Sequence, residues 1–158
     1  MSAEHLQIGD PAPEFSLDDS NGTRISLNEY LGKKKIVLYF YPRDNTPGCT
    51  KEACSFRDFF PSIENENTII FGISPDTIQS HLKFIAKFNL NFILLSDSDH
   101  KVAELYGAWG EKKLYGKTSM GIIRKTFIID MQGKIAKIYH KVKPENHGEE
   151  VLNELKKI

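Results

Sequence analysis

The chain has only two cysteines, Cys49 and Cys54, among its 158 residues, which excludes a secreted scaffold stapled by several disulfides. Neither charge is in excess, with 21 Lys and Arg against 21 Asp and Glu, so no net positive field recruits nucleic acid or an anionic membrane. No apolar run approaches a bilayer span, for which about 20 residues are needed; the longest covers residues 36–41. Residues 1–10 lack the basic and apolar regions of a secretory signal, so a reducing cytoplasm is the expected location. His5, His81, His100, His140 and His147 are scattered without the paired spacing of a zinc site, and each is expected to be a surface or hydrogen-bonding residue. No repeat, low-complexity tract or linker divides the chain. One domain over residues 1–158 is expected, long enough to bury a core.

What the sequence does have is concentrated around the cysteines. Residues 35–41 form a continuous apolar, β-branched and aromatic run, the pattern of a strand buried on both faces, and Pro42 ends it because proline cannot donate to a ladder. Thr46 then offers an N-cap side chain and Pro47 suits the first helical position, which makes Cys49 the third residue of a helix. Unpaired N–H groups and the positive end of the helix dipole favour a thiolate there. Cys49, Ala53, Phe56 and Phe60 share one apolar face, which turns Cys49 toward the core. Cys54 lies about 140° around the axis and about 7.5 Å along it, so the two Cα atoms are about 8.6 Å apart, too far for a disulfide. Either cysteine alone reads as a small buried hydrophobe; the cap and loop favour a nucleophile.

The rest of the chain supplies a frame. Residues 15–17 and 24–27 flank an Asn21-Gly22 hairpin signal, and the turn reading outweighs the glycosylation acceptor that Asn21-Gly22-Thr23 also spells. A strand is expected at 68–73, then a helix starting at Ser74-Pro75 with Ile78, Leu82 and Ile85 on one face, and a strand at 92–95. Asp97-Ser98-Asp99 suits the cap of a short helix containing Val102 and Leu105, which Gly107 ends. Strands at 126–129 and 135–139 flank a turn at 130–133, and residues 149–157 close the chain as an amphipathic helix.

This order predicts a thioredoxin-like α/β fold, a central mixed sheet flanked by helices with an N-terminal β-hairpin extension. In that topology strand 126–129 runs antiparallel beside strand 35–41 and brings Arg124 to Cys49. The glycine-rich stretch 110–118 has five residues between its glycines where a phosphate-binding loop requires four, so it reads as a surface loop and implies no nucleotide. Trp109 is read as a packing anchor or as an entrance residue. Glu52 either hydrogen-bonds active-site groups or compensates the helix dipole.

Pro42-x-x-x-Thr46-x-x-Cys49 resembles, position for position, the active-site signature of the peroxiredoxins, and the spacing to Cys54 is similar to their Q-type, bacterioferritin comigratory protein subgroup. The likeness continues through Phe56-Arg57-Asp58, residues 106–113 and residues 124–130. It implies a thiol-dependent peroxidase of antioxidant defence and redox homeostasis, acting on hydrogen peroxide and alkyl hydroperoxides. By the same resemblance Cys49 is the peroxidatic cysteine, oxidised to sulfenic acid, and Cys54 is the resolving cysteine that closes a redox disulfide with it. Thioredoxin or a similar dithiol protein would reduce that disulfide. Arg124, Thr46 and the backbone N–H groups of Gly48 and Cys49 would stabilise thiolate and peroxide, with Pro42 shielding the pocket. No metal, flavin or haem is implied, and a monomer is expected. A thioredoxin-type disulfide oxidoreductase would need Cys-x-x-Cys, and a proline where Lys125-Thr126 stands. A non-enzymatic redox sensor would lack rapid turnover.

Overall fold

In the computed structural model, which describes residues 6–158, the fold is organised around β3 (Lys35–Phe40), buried at all six positions. On one side it pairs in parallel with β4 (Thr68–Ser74), and on the other antiparallel with β8 (Lys125–Ile129). A parallel neighbour requires a crossover, supplied by α1 (Pro47–Glu64). The next crossover, α2 (Ile78–Phe88), returns the chain to β5 (Ile93–Ser96), parallel to β4. The hairpin of β1 (Ser16–Asp19) and β2 (Arg24–Ser26) extends the sheet antiparallel beyond β5, and β9 (Ile135–Tyr139) completes the other edge beside β8. The seven strands thus lie in the order β2-β1-β5-β4-β3-β8-β9, the mixed sheet with an N-terminal hairpin that the element pattern predicts.

Alternation along β3 divides the core between the two faces of the sheet. Ile36, Leu38 and Phe40 join a cluster completed by the N-terminal segment and by Val102 and Ala103 of α3 (Lys101–Leu105). Val37, Tyr39 and Tyr41 join a second cluster with Cys49, Ala53 and Phe56 of α1, Phe84 of α2 and Val151, Leu152 and Leu155 of α4 (His147–Leu155). Helix α4 approaches α1 closely at Gly148, whose N–H donates to Ser55 Oγ at 2.8 Å; a Cβ there would stand 2.4 Å from the Ser55 carbonyl oxygen. Only glycine fits this crossing.

Several local expectations shift. Residues 109–122, read partly as a surface loop, form a hairpin of β6 (Trp109–Leu114) and β7 (Lys117–Ile122), turned by Tyr115 and Gly116 at φ of 53° and 78°. Four of the six β7 residues are exposed and the segment is rich in lysine, so it lacks the apolar alternation that reveals a strand. Helix α2 begins at Ile78, with the Thr77 side chain accepting from Ser80 N; its buried residues are His81 and Phe84, while Leu82 is exposed. Ile85 packs against the core as expected, but the centre of the buried face is a histidine with both ring nitrogens hydrogen-bonded. In α3 the N-cap position is His100, at positive φ, while the Asp97 carboxylate accepts from Val102 N and Ala103 N, and Leu105 is exposed. Helix α4 starts two residues early, at His147, another buried histidine, bonded to Thr126 and Glu150. His5 lies outside the described residues. The Asn21-Gly22 turn holds only Gly22 at positive φ, with Asp19 Oδ1 accepting from Asn21 N and Thr23 N; Asp130 does the same for Gln132 and Lys134 in the β8–β9 turn. Trp109 is a packing residue, its ring stacked on His100 with centroids 3.7 Å apart.

Candidate active site

The loop of residues 41–46 leaves β3 at the carboxyl end of the central strands and enters α1 with Thr46 at the N-cap and Pro47 at the first helical position. Cys49 is therefore the third helical residue, and its apolar face, shared with Ala53 and Phe56, presses it against Tyr39 and Tyr41 until only 1% of it is exposed. The cap differs from expectation in one detail. Thr46 has extended backbone angles, but its hydroxyl donates to the Arg43 carbonyl at 3.0 Å instead of accepting from the helix. Its own carbonyl takes the Thr50 N–H at 2.8 Å, and Pro42 is half-buried at the head of the loop.

Arg124 arrives from the opposite direction. The β3–β8 register pairs Phe40 with Lys125, so the residue before Lys125 lies just past the end of β3, beside the helix start. Its Nη2 donates to Cys49 Sγ at 3.2 Å and its Nη1 to Glu52 Oε1 at 2.5 Å. One guanidinium thus ties the sulfur to a carboxylate one helical turn further on. A Cβ on Gly48 would lie 3.5 Å from Nη2, so the cation rests against the first turn of α1.

Glu52 is the component that sequence reasoning left undecided. It is fully buried, and burial pushes its carboxyl up to about 7 against the opposing pull of Arg124. Its other oxygen, Oε2, has no hydrogen-bond partner, and neither has the buried hydroxyl of Tyr39. Burial, with Glu52 and Cys49 nearby, raises the Tyr39 phenol well above its usual range. The site is therefore a largely buried cluster of one sulfur, one guanidinium, one carboxyl group and the Tyr39 phenol.

Cys54 lies on the same unbroken helix but only half-buried, and both thiols are free. Arg57, one turn beyond it, bonds Asp58 Oδ1 and the Phe88 carbonyl and so docks α1 on the end of α2. The structure thus brings together Cys49, Arg124 and Glu52, keeps Thr46 and Pro42 in the adjoining loop, and leaves Cys54 apart.

The sequence pattern of the AhpC/TSA family matches residues 8–138. The chain belongs to that family. It is 52% identical over 152 residues to a bcp peroxiredoxin of Helicobacter pylori strain J99, covering 96% of this chain and 99% of that one. It is 48% identical to peroxiredoxin Bcp of Bacillus subtilis over 151 residues, 96% of each chain. Among solved structures, a PrxQ variant from Xylella fastidiosa superposes with a TM-score of 0.91 at 38% identity, over 97% of each chain. The Xanthomonas campestris bacterioferritin comigratory protein, described for its alkyl peroxide reduction activity, superposes with a TM-score of 0.87 at 35% identity, again over 97% of each. This peroxiredoxin is therefore of the Bcp, or peroxiredoxin Q, subgroup, a thiol peroxidase with a thioredoxin-like fold. Among its described residues no helix is long and apolar enough to cross a membrane.

Proposed function

We propose that Cys49 is the peroxidatic cysteine, reducing hydrogen peroxide and organic hydroperoxides, and that Cys54 resolves it. The observation that carries this reading is the guanidinium held 3.2 Å from the Cys49 sulfur by a buried carboxylate. The thiolate attacks one peroxide oxygen, the O–O bond breaks, and the departing oxygen takes a proton to leave as water or alcohol while sulfur becomes sulfenic acid. Arg124 supports this step because a fixed cation at a largely buried site stabilises charge moving from sulfur onto the peroxide oxygens. The N–H groups of Gly48 and Cys49 provide donors along the same path, Thr46 adds one when its hydroxyl turns from the Arg43 carbonyl to the peroxide, and Pro42 limits access to it. Acceptance of organic hydroperoxides is supported by the activity described for the Xanthomonas campestris relative.

The Cys54 thiol then displaces hydroxide from the sulfenic sulfur, releasing water and closing an intramolecular disulfide, which a dithiol protein such as thioredoxin reduces by exchange. Both sulfurs belong to one chain, so the cycle closes within a monomer. Sulfur carries every electron in it, which suits a reducing cytoplasm. In the helix the two Cα atoms stand about 8.6 Å apart, whereas a disulfide tolerates at most about 6.8 Å, so the start of α1 must unwind between the two steps.

The experiment is a titration with hydrogen peroxide followed by mass spectrometry of the wild type, Cys49→Ser and Cys54→Ser. The wild type is expected to lose two hydrogens as a disulfide, Cys54→Ser to gain oxygen at Cys49, and Cys49→Ser to remain unmodified. Oxidation of Cys54 alone in the wild type would reverse the assignment.

A further inference from the structure

Asp44 belongs to the loop that presents Pro42 and Thr46, yet it is only 7% exposed. Its Oδ1 accepts from the Tyr41 hydroxyl at 2.6 Å, and its Oδ2 accepts from Ser80 Oγ at 2.8 Å and lies 2.7 Å from His81 Nδ1. Its backbone N–H donates to Asp76 Oδ2 at 2.8 Å, an oxygen that also receives the Ser74 hydroxyl. His81 is fully buried, with Nε2 3.0 Å from the Leu95 carbonyl. That carbonyl can only accept, so Nε2 bears a proton; a carboxylate oxygen opposite Nδ1 also only accepts, so a second proton lies between ring and carboxylate. The result is a buried pair whose polar atoms are all occupied. Asp44, Asp76 and His81 lie close enough to hold a cation, within 4.8 Å of one another, but their hydrogen bonds already serve that cluster.

The network reaches the loop from the end of β3 through Tyr41, of β4 through Ser74 and the following Asp76, from α2 through Ser80 and His81, and from β5 through Leu95. The neighbouring loop residues have little comparable support. Arg43 and Asn45 are exposed, Asn45 takes a positive φ of 60° and accepts only an exposed bond from Lys87 Nζ at 3.2 Å, and the Thr46 hydroxyl bonds only back to Arg43. The helix start holds the Thr46 carbonyl, but the course of the loop from Pro42 to the Thr46 side chain depends on where Asp44 is held.

We propose that Asp44 and His81 are positioning residues for the peroxide step, fixing the loop that sets Thr46 and Pro42 around the sulfur, an inference that rests on the peroxidatic role given to Cys49 above. Neither hydrogen-bonds Cys49 or Arg124, so they act on the loop and leave the bond from Arg124 to the sulfur in place. The distinguishing measurement is the ratio of two rates at Cys49: oxidation by hydrogen peroxide, followed by stopped flow, and alkylation by iodoacetamide, which needs no peroxide alignment. His81→Met is expected to lower the peroxide rate about ten- to a hundredfold, the loss typical of misaligned reacting groups, while alkylation stays within about twofold. His81→Asn, which keeps a donor for Asp44, should recover most of the loss. Asp44→Asn, nearly isosteric and uncharged, should lower the same ratio and provides the test if His81→Met does not fold. An unchanged ratio in a folded His81→Met or Asp44→Asn protein, or equal loss of both rates, would overturn the positioning role. A wild type whose Cys49 resists peroxide would overturn the peroxidatic reading and this inference with it.

Discussion

Cys49 is buried against the sheet with a guanidinium nitrogen 3.2 Å from its sulfur, whereas Cys54, five residues along the same helix, is half-buried and turned about 140° away from that apolar face. The first environment suits a small substrate that must find a prearranged sulfur. The second suits a sulfur that reacts only after the chain has moved, because no rotamer of either side chain bridges the separation. A single helix thus carries one buried, prearranged sulfur and one half-exposed sulfur. The boundary is drawn by contacts on either side: Asp44 pins the loop before the helix, and the Ser55–Gly148 bond clasps α1 one residue beyond Cys54.

The sharpest break of this contrast is Cys49→Ser. Serine fills nearly the same volume but offers no thiolate, so peroxide consumption is expected to vanish while circular dichroism and melting stay close to wild type. Turnover undiminished in that variant would move the chemistry elsewhere. Next in size is Arg124→Ala, which removes the cation and leaves Glu52 buried without its partner. A loss of about 3 kcal/mol of transition-state stabilisation slows the peroxide step by roughly a hundredfold. Stopped-flow rates equal to wild type would reduce Arg124 to a structural role.

A smaller effect is expected from disulfide formation itself. Residues 47–54 must leave the helix, so their amide protection should fall by about ten- to a hundredfold in the oxidised form, with the change ending near Ser55 where α4 holds the helix. Hydrogen exchange on the reduced and mass-verified disulfide forms measures this directly. Equal protection in both would exclude the unwinding. The same delay leaves the sulfenic acid open to further oxidation, so Cys54→Ser should accumulate sulfinic acid at high peroxide.

The central frame was readable because its signals are local. The run at 35–41, the Thr46-Pro47 helix start and the strand order together predict that Arg124 meets Cys49, as it does. The buried polar residues were not readable in the same way. His81 and His147 sit on core faces where periodicity looks for apolar residues, and their burial is compensated by partners distant in sequence, Leu95 and Thr126 among them. Such pairings carry no spacing rule. Glu52 could be placed one turn after Cys49, but whether it faced solvent or Arg124 depended on a strand more than seventy residues away. The β6–β7 hairpin was missed for the opposite reason, since it buries too little to leave an apolar pattern.

Glu52, placed between the two cysteines, gives the finest measure of the difference between their surroundings. Burial raises its carboxyl from an ordinary 4.5 to about 7, so between those values the folded protein binds a proton that the unfolded chain has released. Stability must therefore fall as pH rises through that window and level off above about 7, once both states are ionised. Removing the charge should remove the slope. In Glu52→Gln the amide oxygen still accepts from Arg124 and no carboxylate has to be desolvated, so melting should be nearly flat from pH 5 to pH 8 where only this group titrates. Relative to the wild type, the variant should gain about 1–3 kcal/mol of stability at pH 8 over its standing at pH 5, an amount set by the size of the shift. The peroxide rate reports the other consequence: with a neutral partner Arg124 keeps its place but loses an electrostatic anchor, so the rate at pH 8 should fall by less than in Arg124→Ala. Denaturant melts at the two pH values check the first effect and stopped flow the second. Parallel pH dependence in wild type and Glu52→Gln would show that Glu52 titrates as an ordinary solvated carboxylate, and the contrast between a buried site at Cys49 and a half-exposed one at Cys54 would lose its electrostatic basis.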